Sequence, residues 1–493
     1  MSHRQRTTVA RAASIVLTAL LVLSPLHAAG ADEAEDLIRS GNIELLTTLP
    51  GPGAIGARFR DDVMYTTSVA GLTTYDVSDP RDPVRLGVLA LPHFENEDVD
   101  LGGDILLISN DSAESAGILY IVDIGDPASP RLRTVYDLGG NAATAQIFGG
   151  PGHTASCVLD CAFAWITDGA GIRVIDLRDP DAPVNLGTYA TPAGGGIVSH
   201  DVQVDGDGLV WVAGFGGTAA YRLPEGYDGT GLGELVAKTN DQGESTYITE
   251  LGAGDGSKYN DFIHHNSLRP AGSDVVYITE EDYNRPGCRG AGSFQTWAVN
   301  GEVLTPISQW TTELLADTAN AAAVCSAHYF DLRHNVVAQG WYEQGLRLLD
   351  VSDPANIRQI GYLYTPQTLS WAAYFPPTDP EGRVIYLLDG SHGIDVLEFD
   401  RPTEGPLAVP GDDCGNGGGP KEPGKGGKPK KPKKPKKGEC ATGDGGSSDP
   451  GAEDTAPTVE APILETWRGA APSLGVADPR FGFACRLLAA PPG

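Results

Sequence analysis

One repeat constrains this chain more than any other feature. Seven times a glycine is followed, five or six residues later, by the end of an apolar run, and four of those runs close on Asp-x-x-Asp-Pro. The clean copies are 71–80 (GLTTYDVSDP), 117–127 (GILYIVDIGDP), 171–180 (GIRVIDLRDP) and 345–354 (GLRLLDVSDP). Looser copies begin at Gly217 (GTAAYRLPEG), Gly292 (GSFQTWAVNG) and Gly393 (GIDVLEFDRP). Their starts lie 46, 54, 46, 75, 53 and 48 residues apart. Self-similarity at that period is the signature of a β-propeller.

Each period divides into strands. After the Gly-led run comes an Asp-Pro turn, where the aspartates cap the bend and proline presets φ. A short strand follows at 84–91, 185–189 and 358–364. Before the run lies a strand pair with a polar hairpin, clearest at 201–204 and 209–213 around Asp205-Gly206-Asp207-Gly208. Four strands per period make a propeller blade. The last period ends at 393–399 with no fourth strand, and the first strand of the chain, 43–49 (IELLTTL), has no blade of its own. That strand is expected to complete the last blade and clasp the ring, because a closed ring hides its edges without capping repeats. The expected fold is therefore all-β: a seven-bladed β-propeller closed by its N-terminal strand, followed by a disordered Lys/Pro/Gly-rich tail.

The two ends read differently from the ring. Residues 1–31 hold Arg4, Arg6 and Arg11, an apolar stretch at 15–26 and a small-residue Ala29-Gly30-Ala31 site, which is the pattern of a secretory signal peptide. The propeller is assigned to 32–402, a low-complexity basic linker to 403–460, and a C-terminal segment of unassigned structure to 461–493. No second apolar stretch approaches the length of a membrane span. The expected location is extracellular or on the cell wall, and the expected state a monomer.

Outside a reducing compartment, cysteines are read as disulfides before redox thiols. Cys157 and Cys161 bracket a tight turn, Cys288 and Cys325 flank the most irregular period, Cys414 and Cys440 bracket the tail, and Cys485 is left over. The net charge of −30 joins two opposite regions: residues 421–440 carry nine lysines and two glutamates, a net +7, so the rest carries −37. An acidic body excludes nucleic acid as a partner of the ring. The run at 428–437 (KPKKPKKPKK) is a stiff cation suited to an acidic cell-wall polymer, or simply a solvated linker.

The motifs GLRLLDVSDP and GIRVIDLRDP, with His200-Asp201-Val202 ahead of the Gly217 copy, resemble the LVIVD-repeat proteins, which are secreted or surface bacterial propellers. The resemblance spans about residues 43–400 and implies the fold; it implies little chemistry.

The chemistry points one strand earlier. Counted back from the second strand of each period, one position holds Glu97, His153, His200, His265 and His328, whereas the last and first periods place Ser370-Trp371-Ala372 and Ile55-Gly56-Ala57 there. The first strand of a blade lines the central channel, so five blades aim an imidazole or carboxylate at one axis. His93 and His264 sit beside this set, and Asp201 and Asp261 are candidate acceptors for the ring N–H groups. Neutral imidazoles with a carboxylate suit copper, zinc or another transition metal. A looser resemblance, in the spatial theme only, is to methanethiol oxidases of the selenium-binding protein family and to nitrous oxide reductases. Polar residues also line propeller channels simply because those channels are wet, and convergent histidines can form a small-molecule pocket instead.

Glu280-Glu281-Asp282 is a separate candidate for calcium or a general base. Asp205–Gly208 reads as a hairpin turn rather than a calcium loop, and His392 as a turn residue. The functional expectation is a secreted propeller that binds a protein or small-molecule ligand, with a metal in its channel. The alternative is a copper- or other metal-dependent oxidoreductase, or a calcium-dependent hydrolase, using the same axial residues.

Overall fold

A continuous apolar run lets a strand bury both faces where other sheets pack on either side of it, and the Gly-led runs are built for that position. The computed structural model describes residues 37–91, 98–110, 117–139, 151–169, 171–191, 199–214, 217–239, 263–281, 292–312, 326–365 and 367–402. Residues 1–36, Glu97, Cys288, Cys325, Cys414, Cys440 and everything from 403 onward lie outside these residues. Among the described residues every regular element is a strand, and no helix is long and apolar enough to cross a membrane.

Each Gly-led run is the third strand of a four-stranded antiparallel unit. In the Gly71 unit the order is Ala54–Arg60, Val63–Ser68, Gly71–Asp76 and Val84–Ala90. The Gly117, Gly171 and Gly345 units repeat it, starting from Val99–Gly102, Ala155–Val158 and Phe330–Arg333. The Gly217 and Gly292 units start from Ser199–Val204 and Ile263–Leu268. A short parallel contact, Lys238↔Val303 and Thr239↔Leu304, joins them into one eight-stranded sheet. In the Gly393 unit, three strands (Ser370–Tyr374, Val384–Asp389, Gly393–Phe399) come from the C-terminal side of the ring. The fourth is Ile43–Pro50, running antiparallel from Ile43↔Phe399 to Pro50↔Gly393. The expected clasp is present. A second, unanticipated piece, Ile38–Arg39, pairs with Leu363 and Tyr364 on the outer edge of the Gly345 unit, so the segment entering the ring ties two neighbouring units. The architecture is a β-propeller.

The cores lie between units. In the strand Ile105–Asn110, Leu106 and Ile108 pack with Tyr65 and Leu72 of the Gly71 unit, while Leu107 between them packs with Ala164 and Ile166 of the Gly171 unit. Period-two alternation thus serves two cores at once, one on each side of the sheet.

The Asp-x-x-Asp-Pro motif is a latch between units. Its first aspartate accepts from the amide two residues on (Asp76 from Ser78, 2.9 Å; Asp123 from Gly125, 3.0 Å), and its second does the same (Asp79 from Arg81, 3.0 Å; Asp126 from Ala128, 3.1 Å). Two successive Asx turns fold the chain tightly and leave the proline carbonyl facing the preceding unit. There a hydroxyl donates to it: Thr74 to Pro127 (2.6 Å), Thr134 to Pro180 (2.8 Å), Thr296 to Pro354 (2.7 Å). Tyr386 of the Gly393 unit donates to Pro80 (2.9 Å), carrying the same latch across the closure. The leading glycine is required where the third strand begins. Gly71 sits at φ +127°, and a Cβ there would lie 2.3 Å from the Leu89 carbonyl oxygen.

Candidate functional site

The first strand of each unit is innermost, so its opening residues meet around the axis. His200 is the second residue of Ser199–Val204, His265 lies in Ile263–Leu268, and His153 and His328 stand two residues ahead of the starts of Ala155–Val158 and Phe330–Arg333. The four imidazoles form an arc in chain order, with ring centroids 4.3 Å (His153–His200), 4.5 Å (His200–His265) and 4.0 Å (His265–His328) apart. His200, His265 and His328 are buried; His153 is partly exposed.

A carboxylate lies inside the arc, and it is Glu281. It ends the second strand of the Gly292 unit, Val275–Glu281, which reaches inward as far as the first strands. Its Oε2 is 3.5 Å from His200 Nε2 and 3.8 Å from His265 Nε2, and its Oε1 is 3.9 Å from His328 Nε2. One ligand atom from each of His200, His265 and Glu281 fits within a 4.8 Å span. The Tyr342 hydroxyl donates to Glu281 Oε1. Tyr342 sits at φ 34°, a conformation that non-glycine residues rarely adopt, held where it orients the carboxylate.

Backbone carbonyls fix the tautomers. His200 Nδ1 donates to the His265 carbonyl (3.1 Å) and His328 Nδ1 to the Trp371 carbonyl (2.9 Å). In a neutral imidazole this leaves Nε2 as the lone-pair nitrogen, and in both residues Nε2 is the atom turned toward Glu281. The acceptor at His200 Nδ1 is a main-chain oxygen, where sequence suggested Asp201. His153 Nε2 is 2.9 Å from His200 Nε2. That contact is either an N–H···N bond or the spacing of two ligands at right angles on one ion, since bonds of 2.0–2.1 Å place such nitrogens about 2.9 Å apart. Ile55, Tyr342 and Trp371 pack together beside His328, whose ring centroid is 4.9 Å from those of Tyr342 and Trp371. A low-polarity wall strengthens any charge interaction made inside the arc.

The structure therefore brings together His153, His200, His265 and His328 from the expected set. Glu281, singled out in the sequence as a separate candidate, joins them. His264 turns outward, its Nδ1 2.9 Å from Thr218 Oγ1 and its ring 5.7 Å from Trp297. Asp205 and Asp207 are used in the turn: Asp205 accepts from the Asp207 and Leu209 amides (both 2.9 Å), and Arg269 pairs with both carboxylates at 2.9 and 2.7 Å. Cys157 and Cys161 are disulfide-bonded. Tyr342 and the two carbonyl acceptors carry no sequence signal.

The LVIVD repeat family matches residues 107–138, which run from within the second strand of the Gly117 unit through its third and most of its fourth. No curated protein matches the chain. Among solved structures the chain is similar to the crystal structure of the Cps50 (Swd1) β-propeller domain of Myceliophteria thermophila. The TM-score is 0.46 at 10% identity, covering 73% of this chain and 100% of that one.

Proposed function

We propose that this LVIVD-repeat β-propeller protein is a binding scaffold that holds one transition-metal ion in its channel, through His200, His265 and Glu281 with His328 and His153 beside them. The observation that carries the reading is the convergence of three Nε2 atoms and a carboxylate on one small volume, with the tautomers of His200 and His328 set from behind by main-chain carbonyls. Imidazole nitrogen with one carboxylate oxygen is a donor set for zinc, copper or iron, and too poor in oxygen for calcium. We read the ring as seven-bladed, taking the two halves of the eight-stranded sheet as separate blades. The N-terminal segment and the Cys157–Cys161 bond favour export to an oxidising compartment.

Metal analysis of protein recovered from an exporting host, then reconstituted with copper, zinc and iron, tests the proposal. The expected result is about one equivalent of a single metal, lost in His265→Ala and weakened about 10-fold or more in Glu281→Gln while the far-UV spectrum persists. Less than about a tenth of an equivalent under all conditions sinks it. A metal-dependent oxidoreductase is the second reading, favoured by the burial of an imidazole-rich donor set. It needs the same ion, so a metal-free wild type removes it too.

A further inference from the structure

A second polar layer lies deeper in the channel. Three residues after five of the seven axial positions, the innermost strands carry Arg58, Asp100, Gln203, Asp331 and Tyr374, and after the other two Ser156 and Leu268. In a regular strand a step of three reverses the side a residue faces, but several of these strands are bulged between the two layers. The register shifts fall at Ala54/Ala57, Ser199/Asp201, His264/Ser267 and Ser370/Ala372. The extra residue returns the third one to the axis. Arg58, Gln203, Asp331 and Tyr374 line a cavity of about 220 Å³, together with Asn266 and Phe59. The Tyr329 ring also lines it and contacts His265 and His328, each at 4.7 Å between centroids, so it stands between this cavity and the imidazole arc.

We propose that this cavity binds a neutral polyhydroxylated molecule of monosaccharide size. The volume is below the usual 300–1,000 Å³ of drug-sized sites and matches a molecule of monosaccharide size better than a peptide or a nucleotide. Its polar wall is made of planar groups: guanidinium, carboxylate and two amides. These donate and accept in pairs, matching neighbouring hydroxyls that do both. Much of its remaining wall is aromatic, from Phe59, Tyr329, Phe330 and Tyr374, and suits the C–H face of a saturated ring.

Charge argues against ionic ligands. Arg58 is already paired with Asp98 (3.8 Å) and Asp100 (3.5 Å), so it offers no unbalanced positive charge to an anion. Both oxygens of Asp331 are held by backbone amides, from Leu332 (2.7 Å) and Phe375 (3.0 Å). The Asp100 carboxylate is likewise taken up, by Arg58 and by the Leu101 and Cys157 amides at 2.9 and 2.8 Å. Arg58 keeps 22% of its side chain exposed, so the layer is in contact with solvent.

The site needs no metal, and the test is run on the full-length protein in chelator to keep the two proposals apart. Ligand-observed NMR and calorimetry are applied to glucose, galactose, mannose, xylose and myo-inositol, with glycine, lysine, acetate and phosphate as ionic competitors. At least one polyol is expected to bind with millimolar or tighter affinity. Gln203→Trp, which fills the cavity from the wall, should weaken it at least about 10-fold. Asp331→Asn, nearly isosteric, should also weaken it and serves if the first variant fails to fold. Absence of polyol binding at about 10 mM overturns the proposal, as does binding untouched by both substitutions, or tighter binding of an ionic competitor than of every polyol.

Discussion

The ring closes at a seam that is set by charge, and pH should open it from one side. His392 lies in the turn that leads into Gly393–Phe399, the strand that receives the N-terminal clasp. Its Nδ1 is 3.2 Å from Asp389 Oδ1 and its Nε2 3.0 Å from Asp395 Oδ2. Asp395 also accepts from Thr48 of the clasp (2.7 Å), and the His392 carbonyl accepts from the Gly51 amide (3.3 Å). Burial alone would lower the imidazole pKa, but hydrogen bonds and charge from Asp389 and Asp395 outweigh it and raise it to about 10, against 6.5 for an ordinary histidine. Asp389, though buried, is held below its ordinary value by His392. Because the folded pKa of His392 is the higher, its contribution is complete below about pH 6.5, declines above that, and is gone once pH passes about 10. That difference in pKa corresponds to about 5 kcal/mol. With 34% of the side chain exposed, solvent screening reduces it to about 1–2 kcal/mol. Urea unfolding of the wild type and His392→Gln, compared at about pH 6, 8.5 and 10.5, reads this directly, because lysine and tyrosine titration is common to both proteins. The wild type should lead by about 1–2 kcal/mol at the lowest pH and by nothing measurable at the highest. A lead that is flat or grows with pH refutes the ion-pair account of the seam.

Two further predictions concern the scaffold. The hairpin closed by Cys157–Cys161 holds Leu159, Asp160 and Cys161 at φ of 52°, 55° and 59°, a run of left-handed residues with no glycine among them. Replacing both cysteines with serine should cost about 2 kcal/mol through the freed loop, and reduced wild type should unfold at the same urea concentration as the variant; two clearly separate midpoints would show that the bond acts otherwise. Gly71→Ala should cost more than about 2 kcal/mol, since φ +127° and the Leu89 carbonyl at 2.3 Å both oppose a side chain. Gly41→Ala, with nothing within 4 Å, is the control and should stay within about 0.5 kcal/mol; equal losses at the two sites would remove the steric explanation.

How much of this could be read without coordinates depends on how directly a residue's role is tied to its neighbours in the chain. The repeat was legible because each of its residues answers a local demand. Glycine accepts a backbone that nothing else does, the two aspartates fold their own next turn, and proline presets φ. The clasp was legible for a related reason: a missing strand at one end and a spare one at the other must meet if the sheet is to have no free edge. The imidazole arc was legible in register, since the opening residues of an innermost strand reach the axis by topology. Glu281 was visible only as part of an acidic run. Its place in the arc depends on how far Val275–Glu281 extends inward, which no local pattern encodes.

The second layer was hidden by a different cause. Read with strict alternation, Ile55 and Arg58 point to opposite sides, as do His200 and Gln203, or Trp371 and Tyr374, so a residue three steps from an axial one is assigned to a core. A bulge in each of these strands cancels the reversal. The bulge also has a use beyond aim. It lets one short strand present two side chains to the axis while the residue before the lower one, such as Val202, stays in the packing between units. The narrow channel can thereby hold an imidazole layer above and a guanidinium–carboxylate–amide layer below without lengthening any strand. Deleting one residue at the Ser199/Asp201 bulge would restore alternation and turn Gln203 away from the axis. The two layers are therefore separable by backbone register as well as by side-chain substitution.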